Sequence, residues 1–349
     1  MALTESPRLD EADTYSKPLS GEDTMNLAMA TPTQVLTTAA SAALLAPSVH
    51  NTQPWRFVLD ADALEIHADR SRQLEVSDPF GRQLMISCGC ALFNARVALA
   101  AQGYDAIVHR IPDPARKDLI ATITLPSEQT EWNPIASLEQ HIARRHSNRR
   151  RFQETSVSPS VLYDLTSAAG QEHAELFRVR EEAHRRSLST LSQQAEALEA
   201  ADSRYQQELW EWTTVDAKRE DGVPAMAVPY ASSETAGDLP IRDYDTRAIG
   251  WLPAESRSGS DECLLMLTTD GDDELSWLRA GEALQRVWLE ATKANYVISL
   301  FTQVIEVPNL RNQLRAALTP RRHPQLVLRI GRAAATPASG RRSLDDVLS

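Results

Sequence analysis

One stretch constrains this chain more than any other. Between Arg82 and Gln102, Leu84, Cys88, Ala91, Leu92, Ala95 and Leu99 recur at helical spacing with few charges among them. The spacing predicts a well-buried helix that Gly103 ends. A second helix, predicted over Glu274 to Ala294, repeats its small residues. The run "AGEALQRVWLEA" sets Gly281, Ala283 and Leu284 against Gly89, Ala91 and Leu92 of "CGCALFNARVAL". Two readings stay open: a duplicated unit, or two helices that happen to be alike.

The order of elements around the two helices also recurs, as a duplication would require. Thr31-Pro32 is an N-cap followed by proline at the first helical position, opening a helix to about Leu45. Ser158-Pro159 opens another, through Leu162 and Leu165. Strands are predicted at Trp55 to Leu59, Leu64 to Ala68, Ala106 to Arg110 and Ala121 to Leu125. Later ones follow at Leu176 to Arg180, Leu264 to Thr268 and Gln325 to Ile330. Matching Pro32 with Pro159 and Gly89 with Gly281 leaves the second half longer, with its extra chain within 185–260. That stretch is amphipathic and charge-rich to about Glu220. It then becomes a Pro/Gly/Ser-rich run holding "DGVPAMAVPY" and "DLPIRDYD". Long loops in compact domains are usually functional or mobile. Residues 1–25 are polar, acidic and aperiodic, and read as a disordered tail. The expected class is therefore α+β, with halves at 26–133 and 134–349.

Several function classes fall away. The net charge of −12 argues against nucleic acid as a partner, which needs a basic face. No uninterrupted apolar run approaches the roughly 18–20 residues of a membrane span, so no membrane partner is expected. No secretory signal is visible at the N-terminus. The three cysteines, Cys88, Cys90 and Cys263, are no disulfide framework and suggest the cytoplasm. Cys88-Gly-Cys90 reads as close packing, because no His/Cys set at metal spacing accompanies it.

Two segments carry candidate chemistry. In "ARRHSNRRRF", Arg145, Ser147 and Arg149 alternate, so an extended backbone points them the same way. Guanidinium forks beside a hydroxyl suit a phosphate, although a solvated basic turn fits the pattern too. In "APSVHNTQPWRF", Ser48 and Asn51 either close turns on their own backbone or offer hydrogen bonds to a polar ligand.

Taken together, helix, A-P-S-x-x-N-x-Q-P-W and strand resemble the signature of the FMN-dependent nitroreductase superfamily. "RRHSNRRRF" is similar to that family's phosphate-binding segment, and "SGRRSLDDVL" to its basic C-terminal tail. Here the Pro-Ser-Asn loop precedes the Arg/Ser segment, an inversion that resembles the Acg family, where one chain imitates a nitroreductase dimer. The resemblance implies a nitroreductase-like fold of two tandem half-repeats forming a pseudodimer, and one FMN between them. It implies that Arg145, Ser147 and Arg149 hold the phosphate and nearby oxygens, completed by Arg341 and Arg342. Pro47, Ser48, Val49 and Asn51 would line the isoalloxazine, with the backbone of Ile305 and Glu306 near N5. Gln53, Pro54 and Trp55 would fix the loop. The implied activity is hydride transfer from NAD(P)H through FMN to a small acceptor such as a nitroaromatic or quinone, with no catalytic side chain and no metal. The alternative is a protein that sequesters FMN beneath a lid formed by 185–260. The chain would be a monomer imitating a dimer, with further self-association open.

Overall fold

The helix over Arg82–Ala101, α2 once α1 (Pro32–Leu44) is counted, is the centre of the molecule. All its residues but Arg96 and Ala101 are buried. By length and hydropathy alone it could cross a membrane, but its apolar window is 89% buried inside the protein, so it is a core helix. The computed structural model describes residues 30–349 apart from 131, 150–151, 154, 217, 228–229, 232–241, 243, 245–253, 256–262 and 335. The expected tail at 1–25 lies outside the described residues, as does much of the Pro/Gly/Ser-rich run.

Four strands form one antiparallel sheet: β1 (Trp55–Leu59), β2 (Ala63–Ala68), β3 (Ile107–Arg110) and β4 (Leu119–Thr124), in the order β1-β2-β4-β3. Buried and half-exposed residues alternate along β2, so one face of this sheet meets the core. After α3 (Glu139–Ile142) and α4 (Pro159–Gln171) comes β5 (Glu175–Arg178). Two helices follow, α5 (Glu182–Ala201) and α6 (Ser203–Glu211). Then come two-residue strands β6 and β7 (Thr213–Thr214, Val223–Pro224) and β8 and β9 (Tyr230–Ala231, Ala254–Glu255). The chain closes with β10 (Cys263–Thr269), α7 (Glu274–Lys293), β11 (Val297–Phe301), α8 (Gln303–Glu306), α9 (Pro308–Leu318) and β12 (His323–Gly331).

The second large sheet, read from β5, runs β5-β10-β12-β11, the same order as β1-β2-β4-β3 with α7 in the place of α2. The additional chain sits between β5 and β10. It changes the burial of that sheet. Leu265, Leu267, Leu326 and Leu328 face the main core, whereas Leu264, Met266 and Val327 pack with Leu188 and Leu191 of α5 and Leu310 and Leu314 of α9. All seven residues of β10 are buried in consequence.

The helices α2 and α7 meet backbone to backbone. A Cβ on Gly89 would stand 2.1 Å from the Leu278 carbonyl oxygen, and one on Gly281 would stand 2.0 Å from that of Ile86. The exits of the two helices match as well. Gly103 (φ 84°) and Asn295 (φ 59°) both adopt the left-handed turn that returns the chain. Tyr104 N then donates to Leu99 O (2.9 Å), and Tyr296 N to Ala291 O (2.8 Å). Cys88 and Cys90 are buried in this packing. The Cys90 thiol contacts the Gly281 carbonyl at 3.2 Å, and burial pushes the Cys88 thiol up to about 12, so neither is a reactive thiolate.

The open edge of β1 is covered by the C-terminus: Phe57 N donates to Val347 O (2.7 Å), and Ser349 N to Phe57 O (3.0 Å). The tail of the chain thus returns to its first sheet.

The helix contact yields the first prediction. Gly281→Val should destabilise the fold by about 2–4 kcal/mol, because both backbones must separate to admit the side chain. Urea unfolding followed by circular dichroism checks this, and an unchanged midpoint would refute the tight crossing.

Candidate functional site

The loop after α1 is held in an unusual shape. His50 (φ 45°), Asn51 (φ 56°) and Gln53 (φ 49°) all take the left-handed backbone, a conformation non-glycine residues rarely adopt. Local hydrogen bonds fix it: Gln53 N donates to Ser48 Oγ (2.9 Å), and Val49 N to Ser87 Oγ on α2 (3.2 Å). Gln53 does the fixing expected of it, donating from Nε2 to Glu220 O (2.8 Å) and accepting from Arg342 N (2.9 Å). Trp55 is fully buried, and the Pro54 carbonyl accepts from Asp69 N at 3.0 Å.

The Arg/Ser segment reaches this loop by lying along β11. Ser147 forms a parallel bridge with Ile298, and Asn148 N donates to Ile298 O (3.0 Å). Arg145, Ser147 and Arg149 thereby line one compartment with Pro47, Ser48, Asn51 and the tail residue Arg341. An adjoining, larger compartment of about 920 Å³, counting its open mouth, shares Pro47, Ser48, Ser147 and Arg149. Ile86 and Cys90 of α2, Leu284 of α7 and Leu300 of β11 give it apolar walls, and Val49 also lines it.

The small compartment is electrostatically incomplete. Arg145 is only 3% exposed; its Nη2 makes a long contact with Leu45 O (3.4 Å), and its guanidinium lies 4.7 Å over the Trp288 ring. Its Nε and Nη1 have no hydrogen-bond partner among the described residues, and neither has Arg341 Nε. Burial, with Arg341 beside it, pushes Arg145 down to about 9, and burial pushes Arg341 down to about 10. No carboxylate pairs with either among the described residues. A buried cation and a partly buried one beside it, without a carboxylate between them, form a site for an anion.

The other expected residues are placed as follows. Asn51 lines the small compartment, but its side chain is a clasp. Nδ2 donates to the carbonyls of Gly222 (3.1 Å) and Gly340 (3.2 Å), and Oδ1 accepts from Arg341 Nη1 (3.0 Å). Arg342 lies outside both linings and braces the loop from behind through Gln53. Ile305 and Glu306, expected as loop backbone beside a ring, belong to the short helix α8 instead. Ile305 packs in the core between β11, α5 and α9, and Thr302 and Gln303 line the compartment in their place. The reason is that "TQVIEVP" buries Val304 and Ile305 on one side of a helical turn that Pro308 then restarts.

Sequence reasoning passed over His50, Gln83, Arg242 and Tyr244, all of which line the larger compartment. Arg242 and Tyr244 come from "DLPIRDYD", where no local pattern marks either residue. Arg242 Nη2 donates to Glu306 Oε1 (2.6 Å) and Thr302 Oγ1 (3.3 Å), and its Nη1 meets His50 Nε2. Burial alone would raise the Glu306 carboxyl, but Arg242 more than offsets it and holds Glu306 below the usual carboxylate range. Burial and Arg242 together push the His50 imidazole down to about 3, against an opposing pull from Glu306. The larger compartment therefore presents a neutral imidazole and a closed ion pair, with Arg149 lining both compartments, while the guanidinium nitrogens of Arg145 and Arg341 that lack partners among the described residues belong to the smaller one.

Comparison with known proteins gives several curated relatives along nearly the whole chain, among them the following two. A Mycobacterium tuberculosis (strain H37Rv) protein named "Putative NAD(P)H nitroreductase Rv3131" is 32% identical over 324 residues, covering 90% of this chain and 91% of that one. Another from the same organism, "Putative NAD(P)H nitroreductase acg", is 29% identical over 322 residues, covering 90% and 95%. Among solved structures, a nitroreductase described as putative from Anabaena variabilis is similar with a TM-score of 0.46 and 13% identity, covering 86% of this chain and 74% of that one. No protein-family model matches the chain.

An anion-binding role for Arg145 carries a stability signature. In the ligand-free protein, Arg145→Met should raise stability by about 1–2 kcal/mol, since it removes a buried charge whose donors are unmet. Added inorganic phosphate should raise the wild-type thermal midpoint and leave the variant unmoved. Differential scanning calorimetry reads both, and equal phosphate responses would place the anion elsewhere.

Proposed function

The chain belongs to the NAD(P)H nitroreductase family, in its Acg subgroup, and from that premise we propose that it is an FMN-binding oxidoreductase that passes hydride from NAD(P)H to a small acceptor. One observation carries the reading: Arg145 and Arg341, without a carboxylate partner among the described residues, line a small compartment that adjoins, through Pro47, Ser48, Ser147 and Arg149, a larger one with apolar walls. A ligand with a terminal phosphate and a large flat ring fits that division of charge, and FMN is such a ligand.

In this reading Arg145, Arg341, Ser147 and Arg149 hold the phosphate. Pro47, Ser48 and Val49 support the ring on one side, while Ile86, Cys90, Leu284 and Leu300 exclude water from it. Asn51 and Arg342 brace the two jaws and touch the ligand little, since their polar groups are already engaged. When bound, the flavin supplies two-electron redox chemistry, and the protein's part is binding, orientation and access. That division needs no side-chain acid, base or nucleophile in the site.

The matching strand orders support reading 26–133 and 134–349 as tandem halves that imitate a dimer, with 185–260 as the insertion. The same register that matches Gly89 with Gly281 sets Glu282 at the place of Cys90, and Arg110 at that of Thr302. Those positions are occupied by a closed ion network. Arg110 and Arg96 both donate to Glu282 (2.6 and 2.7 Å), and Arg96 and Arg286 to Glu172 (2.7 Å each). The charges of the mirror region thus cancel within the protein, which supports one FMN per chain.

A sequestering role is favoured by one specific observation. Arg242 and Tyr244, from the inserted chain, stand within the ring compartment, and Arg242 is anchored to Glu306. An insertion fastened there limits the approach of an acceptor.

The purified protein should be yellow, with about one FMN per chain by absorbance, and Arg145→Met should weaken FMN far more than riboflavin. Colourless protein that ignores added FMN would overturn the binding reading. Under anaerobic conditions NADH or NADPH should bleach the flavin band. Bleaching by dithionite alone would favour sequestration.

A further inference from the structure

On the reading that the pocket holds a flavin, we infer that His50 recognises its ring, with Nδ1–H donating a hydrogen bond to a carbonyl-type oxygen and Arg242 as the positioning residue that fixes the tautomer. Gln83 of α2 offers a second donor to the same compartment.

The tautomer follows from donor chemistry. A guanidinium has only donors, so the His50 Nε2 that meets Arg242 Nη1 must be the acceptor, and the ring proton resides on Nδ1. That N–H is buried and has no hydrogen-bond partner among the described residues, and the same holds for Gln83 Nε2. Both residues line the larger compartment, at 5% and 4% exposure. A buried donor without an acceptor is costly to keep. Three left-handed residues within the span 50–53 hold this loop in shape, and such strain persists where the surroundings over-determine it, typically at ligand sites.

The chemistry of the missing partner can be narrowed. Both donors are uncharged, and Arg145 and Arg341, whose guanidinium nitrogens lack partners among the described residues, line the smaller compartment instead. A neutral oxygen acceptor on a flat ring matches these uncharged donors. The groups facing His50 are Arg242, Glu306, Arg149 and Tyr244, the last with its ring edge-on at 5.9 Å. Their sum, together with burial, keeps the imidazole neutral at any pH above about 3. His50 is then a fixed donor and not a proton shuttle.

The full-length protein carrying 15N-labelled histidine tests this directly. The His50 nitrogens should report the Nδ1–H tautomer with no titration between about pH 5 and about pH 9. The Nδ1 proton should move downfield on adding either FMN or riboflavin. Arg242→Met should release the tautomer and raise the His50 titration, while burial continues to hold it below its ordinary value. His50→Asn, which tolerates the left-handed backbone, should weaken riboflavin and FMN alike by roughly fivefold to thirtyfold. An Nε2–H tautomer, a titration within that window, or unchanged flavin affinity in His50→Asn would overturn the inference. Flavin that binds without moving the His50 signals would sink this inference alone, whereas a protein that binds no flavin would sink the reading beneath it.

Discussion

The contact on which the rest of the structure depends is the crossing of α2 and α7 at Gly89 and Gly281. Two helix backbones can touch only where neither carries a Cβ, and here each glycine faces the other's backbone. That approach lets the two helices share one core with both sheets. It also brings Ile86 and Cys90 of one helix beside Leu284 of the other, so the residues flanking the crossing become the apolar wall of the pocket. Packing and site therefore rest on the same two missing side chains.

The placement of charge separates structure from function in this molecule. In the ion network around Glu282 and Glu172, buried and half-buried arginines meet buried carboxylates at close to 2.7 Å, and the Arg242–Glu306 pair is closed in the same way. Such pairs cost much desolvation and recover it only when complete. Arg145 is as deeply buried and Arg341 partly so, yet both lack a carboxylate among the described residues, in a chain with twelve more acidic than basic groups. In so acidic a protein a neighbouring pair of arginines without a carboxylate is a specific arrangement. It marks the compartment as one that an external anion completes.

Much of this was legible in the residues themselves. The core helices followed from apolar spacing, and their starts from Thr31-Pro32 and Ser158-Pro159. The Ser158 hydroxyl caps no helix backbone, however, and turns to Ser160 instead. The alternation of Arg145, Ser147 and Arg149 was enough to place them together, because Ser147 does lie extended along β11. Reading "VIEVP" as loop backbone failed. Val304 and Ile305 have a core between β11, α5 and α9 to enter, one wall of which comes from the inserted helix α5. Asn51 and Arg342 carry hydrogen bonds between the tail, the insertion and the loop, an assignment no short pattern encodes.

What the sequence by itself determined was local: where helices begin, which faces are apolar, which loop is too polar for a turn, and that two helices share a pattern of small residues. Those properties depend on neighbours a few residues apart. The tertiary structure alone decided which arginines go unpaired, that His50 meets Arg242 from the far side of the chain, and that Asn51 ties Arg341 to Gly222. Each of these is set by burial and by partners one to three hundred residues away. The free energy of a charge or a donor depends on what surrounds it in space, and the order of the residues does not state that.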